Sequence, residues 1–294
     1  MINPESNSNQ QVIPRALFRY YKPLKTREDY DRLYELFAED KLYLSNPNSF
    51  NDPFDCNISM DWTSIEEYDI ERLLKHKEKN HKKNNAPIAT AEEIEKFKKI
   101  HAEQISSEIN KKTKEVGMVC FSKDINNILM WSHYGGSHKG IAFEFQADRF
   151  LLKKNLVPID YEIDYDNQTT PNYKNFVDSC INEPDETRTL EILKPFYRIK
   201  AKDWYYEKEW RLLLPRTWPC VKNGRMDIKN SDNKPECPPY MTISGIYFGL
   251  NANMESTYNH KIIHWIKNNR PDIKIYKMEK DGHLKLRFEG YSAS

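Results

Sequence analysis

Two acids stand two positions apart in Trp204-Tyr-Tyr-Glu207-Lys-Glu209-Trp210-Arg211, with aromatic rings on both sides and the apolar run Leu212-Leu213-Leu214 behind them. If Glu207 to Leu214 is a strand, its period of two puts Glu207, Glu209 and Arg211 on one face and Lys208, Trp210 and Leu212 on the other. The second face is mostly apolar and should turn to the core, which leaves both acids facing a cleft. Two carboxylates on one face repel each other. That repulsion, with burial by aromatic rings, can raise one pKa against the other, as acid–base chemistry requires. The same residues could also form a solvated charged face with Arg211 as neutralising partner.

Other chemistry-bearing residues lie earlier in the chain. Arg19, with Tyr20 beside it, sits in the apolar-aromatic run Leu17 to Tyr21. A guanidinium there could grip a phosphate or a carboxamide. Ser45 and Ser122 each end a candidate strand with a hydroxyl, and Asn51 and Asp52 sit in a turn crowded with Asn, Asp and Pro. Asp52 and Asp55 could be ligands, or local caps for backbone N–H groups. Trp131, His133 and Tyr134 supply aromatic and hydrogen-bonding groups on a short helix ended by Gly135-Gly136. His133 and His138 are five apart, whereas a metal pair on one helix face needs three or four, so no metal site is expected. The chain has no GxGxxG, Walker, GxSxG or HExxH motif.

The elements that must position these groups read as an α+β fold with a mixed or antiparallel sheet. Strands are expected at Leu17–Tyr21, Lys41–Ser45, Gly117–Ser122, Gly140–Phe145, Val157–Tyr165 and Tyr240–Phe248, with a closing hairpin turned at Asp281-Gly282. A helix from Arg27 to Glu39 starts at a Thr26/Asp29 capping box and buries Tyr30, Leu33, Leu36 and Phe37. A second runs from about Glu255 to Asn268, and Tyr173 to Ile199 reads as helical in two parts. Residues 1–11 read as a disordered lead-in without an apolar signal core, and 12–294 as a single domain. A Lys/Glu-rich helical hairpin is inserted at about 64–115. Its lysine cluster is a solvated face, and nucleic acid is only weakly supported as a partner.

Composition narrows the classes. A formal charge of +1 supplies no bulk field toward nucleic acid or membrane, and no apolar run is long enough to span a bilayer. Five scattered cysteines form no CxxC pair, which fits a reducing cytoplasm rather than a disulfide framework.

Several blocks carry a resemblance. Leu17-Phe-Arg-Tyr-Tyr21, Leu42-Tyr-Leu-Ser45 with Asn51-Asp-Pro-Phe-Asp55, Cys120-Phe-Ser122, Leu129-Met-Trp-Ser-His-Tyr134 with His138-Lys-Gly140, and Trp204 to Arg211 resemble the signature blocks of the DUF2971 family, a bacterial family of unknown function. A second resemblance is to the ADP-ribosyltransferase superfamily, whose order of Arg, hydroxyl and Glu is matched by Arg19, Ser122 and Glu207-Lys208-Glu209. Cys120-Phe-Ser122 replaces the usual Ser-Thr-Ser. That resemblance implies a split sheet and NAD as substrate. Arg19 would hold its phosphate or ribose, Ser122 would support the pocket, Glu209 would stabilise the oxocarbenium ion, and Glu207 would orient an acceptor. The implied activity is ADP-ribosyl transfer or NAD hydrolysis, in a bacterial defence or toxin setting. A metal-dependent phosphoesterase built on Asp52, Asp55, Glu144, Glu207 and Glu209 and a non-catalytic sensor are the alternatives.

Overall fold

The structure is a computed structural model that describes residues 13–56, 115–147, 155–161, 190–191, 193–194, 196–229, 241–282 and 285–291. The expected lead-in, the helical hairpin at about 64–115 and the helix from Tyr173 lie almost wholly outside the described residues.

Among the described residues eight strands form one sheet in the order β11-β10-β9-β4-β1-β3-β6-β5. They are β1 (Ala16–Tyr21), β3 (Val116–Ser122), β4 (Ile141–Ala147), β5 (Leu156–Pro158), β6 (Glu209–Pro215), β9 (Met241–Phe248), β10 (Lys274–Asp281) and β11 (Lys285–Gly290). All neighbours are antiparallel except β9 and β10. The short strands β2 (Lys41–Tyr43), β7 (Val221–Lys222) and β8 (Arg225–Asp227) make a second sheet. The α+β reading therefore holds as a mixed architecture with a mostly antiparallel sheet. A split of the ADP-ribosyltransferase kind finds no confirmation in this pairing.

Helix α1 (Arg27–Glu39) forms as its sequence dictates. The Thr26 hydroxyl accepts from the Asp29 N–H, and the Asp29 carboxylate accepts from the Thr26 N–H, so both halves of the capping box close. Leu33, Leu36 and Phe37 are buried, while Tyr30 is half-buried. Together with α3 (Thr257–Asn269), α1 covers the sheet face that carries Leu17, Phe143, Phe145 and Leu212. The short α2 (Ile128–His133) lies at the other face, where Trp131 packs with Phe18 and Tyr247. Asn127 caps it by accepting from the Leu129 and Met130 N–H groups.

The sheet has one weak seam, and the seam makes room for a site. Strands β1 and β3 share a single register pair, Phe18↔Ser122. Four residues back along β3, at Met118, the partner is no longer β1. Ser45 takes its place, exchanging both N–H···O bonds with Met118 at 2.8 and 2.9 Å. Cys120 lies between these two anchor points, where the strands have diverged.

The expected strand from Glu207 is shorter than the periodicity suggests. Glu207 closes a 3₁₀ helix (Lys202–Glu207), Lys208 takes a left-handed conformation at φ 46°, and β6 begins only at Glu209. Strands β7 and β8 occupy a stretch that reads as loop, because two- and three-residue strands leave too little period to detect.

Candidate functional site

The acids of the Trp204–Arg211 block are not free in a cleft. Glu209 and Arg211 share the β6 face that pairs with Ser122 and Cys120, and that face is buried. Arg211 is 0% exposed and binds Glu209 with two hydrogen bonds, Nε to Oε1 at 2.7 Å and Nη2 to Oε2 at 2.9 Å. Its Nη2 also reaches Asp55 Oδ2 at 2.7 Å, and Nη1 donates to the Tyr197 carbonyl at 3.1 Å. A guanidinium removed from water needs nearly all its donors met, and here they are.

A second cation completes the cluster. Lys200 Nζ lies 2.5 Å from Glu207 Oε2, 3.0 Å from Glu209 Oε2 and 3.4 Å from Asp55 Oδ2. The backbone holds Lys200 there, its N–H donating to the Asp160 carbonyl beside the Asp160↔Ile199 bridge. Glu207 reaches the cluster from its 3₁₀ helix, and its Oε1 accepts from the Tyr134 hydroxyl at 2.5 Å. Three carboxylates thus surround two cations in a buried space.

That imbalance decides the protonation states. Burial works against the Glu209 carboxylate, but Arg211 and then Lys200 overcome it and hold its pKa down at about 2. Burial, reinforced by the Glu209 charge, pushes Glu207 up to about 7, although Lys200 and Tyr134 both favour its ionised form. Burial disfavours the charged Lys200, yet Glu209, Glu207 and Asp55 outweigh it and keep the ammonium protonated. Burial and the adjacent Glu207 raise the Tyr134 hydroxyl, which therefore stays a donor.

A cavity of about 190 Å³ opens against this cluster at the β1–β3 seam. Its walls include Arg19, Tyr20, Ser45, Asn51, Asp55, Ser122, Tyr134, Glu207 and Glu209 from the sequence reading, together with Cys120 and Lys200. Arg19 has one guanidinium nitrogen, Nη1, that is buried and has no hydrogen-bond partner among the described residues. The Tyr20 hydroxyl donates to the Asp124 carbonyl at 2.7 Å, and the Ser122 hydroxyl accepts from the Asp124 N–H. Both shape the wall more than they offer free groups. Burial together with the Glu209 charge holds the Cys120 thiol well above its usual pKa, so it is no thiolate.

Four expected site residues stand apart from the open cavity. Trp131 is fully buried and donates from Nε1 to the Ile125 carbonyl, which makes it a core ring. His133 is exposed and tilts against Tyr206. Asp52 caps its own turn, accepting from the Phe54 N–H at 2.9 Å. Arg211 sits behind Glu209 rather than on the cavity wall. The glycines of the same block serve packing: a Cβ on Gly140 would fall 2.0 Å from the Tyr21 carbonyl oxygen. Lys200 was missed, since a lysine outside any motif gives no periodic or spacing signal.

Asp55, Glu207 and Glu209 do converge, but on Lys200 and Arg211. Glu144 lies elsewhere, accepting from Ser244 and Tyr247. Among the described residues no group of three or more His, Cys, Asp or Glu is arranged to hold a metal ion.

Residues 130–212 match the DUF2971 family, described as a protein of unknown function. The match supports the family assignment drawn from the sequence blocks, with Tyr134, Lys200, Glu207, Glu209 and Arg211 inside the matched span and Arg19, Ser45 and Asp55 before it. No curated protein and no solved structure matches the chain, so the ADP-ribosyltransferase resemblance gains no support. Among the described residues no helix is long and apolar enough to cross a membrane.

Proposed function

We propose that the β1–β3 cavity is the active site of an enzyme that cleaves or transfers the ribosyl group of a nucleotide such as NAD, with Glu207 as the reacting carboxylate. The carrying observation is the division of labour between the two acids. Glu209 is fixed as a carboxylate by Arg211, whereas Glu207 faces the cavity with a pKa near neutrality, where a general acid or base works best. This reverses the roles implied by resemblance, in which Glu209 reacts and Glu207 orients.

In this scheme the bond between the ribose C1′ and the nicotinamide nitrogen breaks, and its electron pair leaves with the ring. The Glu209, Glu207 and Asp55 carboxylates supply negative potential for the oxocarbenium ion left behind. Water or an acceptor hydroxyl adds its oxygen at C1′ and gives its proton to Glu207. The cavity volume is below the roughly 300 Å³ of a typical small-molecule site, so it suits one sugar or one ring rather than a whole dinucleotide. The unpartnered Arg19 Nη1 at its edge supplies a donor for the anionic remainder. The three free cysteines among the described residues fit a cytoplasmic setting.

Calorimetry with NAD tests the reading. Saturable binding by wild type, lost in Arg19→Ala and kept in Glu207→Gln without nicotinamide release, supports it. No binding at NAD concentrations on the order of millimolar overturns it. The burial of the Glu209–Arg211 pair favours one alternative, a ligand-sensing module, which would bind nucleotide and leave it intact. A metal-dependent phosphoesterase is less well supported, because cations of the protein already occupy the space among the acids.

A further inference from the structure

A second and larger cleft, of about 510 Å³, lies against α1, and Arg19 is common to its wall and that of the Glu207 cavity. Its volume falls within the roughly 300–1,000 Å³ range of small-molecule sites. The lining is strongly one-signed. Arg19, Lys22, Arg32, Lys41 and Arg225 contribute five cations, and Asp29 and Glu35 are the two acids.

Both acids already have partners. Glu35 pairs with Arg225. Asp29 accepts from the Lys25 and Thr26 N–H groups as half of the capping box, and these bonds hold its pKa down. Lys41 pairs with Glu39, outside the cleft. Beside Arg19, Lys22 and Arg32 the lining then offers one acid, Asp29, whose charge also acts on Arg32, so five lining cations stand against two acids. Leu24, Leu33, Leu36 and the half-exposed Tyr43 ring share this lining, with the Arg225 guanidinium 6.0 Å from the centre of the Tyr43 ring. Cations beside an apolar, aromatic shelf match a ligand with an anionic chain and a flat ring.

We propose that this cleft binds the phosphate groups of a nucleotide, with Arg19 holding the phosphate nearest the Glu207 cavity and Lys22 and Arg32 the next. The proposal deepens the function proposed above and rests on it for the identity of the ligand. It divides one nucleotide between two compartments: the reacting sugar at Glu207, the phosphates over α1. It also accounts for a reaction cavity too small for the whole molecule.

Inorganic diphosphate is the probe, with binding followed by calorimetry at low and high salt. Wild type is expected to bind it, more weakly as salt rises. The double variant Lys22→Gln/Arg32→Gln is expected to lose roughly tenfold or more in affinity, as removal of charge-assisted hydrogen bonds implies. Both side chains are exposed, so the fold survives their loss. Arg287→Gln on β11, outside both linings, should bind diphosphate as wild type does. No diphosphate binding by wild type, or equal binding by the double variant, overturns the cleft. The two proposals fail separately. Diphosphate binding mapped to Lys22 and Arg32 without nicotinamide release leaves the cleft standing and removes the Glu207 chemistry. Nicotinamide release with a KM for NAD unchanged by the double variant does the reverse.

Discussion

Arg211 holds Glu209 edge-on through paired hydrogen bonds of 2.7 and 2.9 Å, with both side chains buried. The pair fixes Glu209 as a permanent carboxylate, and its charge in turn helps drive Glu207 toward neutrality. Structure and proposed reactivity therefore meet where the 3₁₀ helix ending at Glu207 turns through Lys208 into β6.

Arg211 is a structural residue by this geometry. Arg211→Met should destabilise the protein by about 3–5 kcal/mol, because it leaves Glu209 and Asp55 buried with only Lys200 between them. Urea unfolding checks this through the midpoint at constant slope. A loss within ~0.5 kcal/mol would place the guanidinium among ordinary surface charges.

The two acids should impose opposite pH dependences on stability. Glu209 has a folded pKa of about 2 against an ordinary 4.5, so it stabilises above pH 4.5 and loses that contribution as pH falls toward 2. Glu207 has a folded pKa of about 7 against the same 4.5, so its contribution is complete below 4.5 and is lost as pH rises through 7. Glu207→Gln should remove the second slope and leave the acid limb in place. Unfolding midpoints across pH for wild type and variant report both limbs.

Much of this could be read from the sequence, and the reasons are local. The Thr26/Asp29 capping box and the spacing of Leu33, Leu36 and Phe37 set α1 to within its observed ends, since caps and period act within a few residues. Ile141, Phe143 and Phe145 show their common face directly. The site was half visible: Arg19, Tyr134, Glu207 and Glu209 line one cavity, and Asp55 reads as a ligand or a turn cap, but Lys200 enters through contacts that no local pattern encodes. Glu207 looked like a strand residue because alternation counts side chains and does not sense the left-handed turn at Lys208. Trp131 and His133 looked functional because they stand beside Tyr134, and helix geometry sends each to a different environment.

Lys200 sets the Glu207 titration from the opposite side. Lys200→Met removes the cation 2.5 Å from Glu207, so the Glu207 pKa should rise further. If Glu207 acts as a base, the pH midpoint of turnover moves upward with it. A midpoint unchanged in Lys200→Met would separate Glu207 from the titrating group.

Cys56 and Cys120 should resist alkylation while the protein is folded. Burial pushes both thiols well above their usual pKa, and nearby carboxylates add to it. Peptide mapping after brief iodoacetamide treatment should find both unmodified in native protein and both labelled in urea. Rapid native labelling of Cys120 would point to a thiolate in the cavity and to chemistry centred there.

Nicotinamide release from NAD, measured across the neutral pH range for wild type, Glu207→Gln and Arg19→Ala, tests the assignment of Glu207 most directly. Wild-type turnover should rise as pH passes through about 7, the pKa of Glu207. Glu207→Gln should lose roughly a hundredfold or more in rate and its pH dependence with it. Arg19→Ala should bind NAD weakly. A wild-type protein that releases no nicotinamide, or a Glu207→Gln variant that turns over like wild type, contradicts the account.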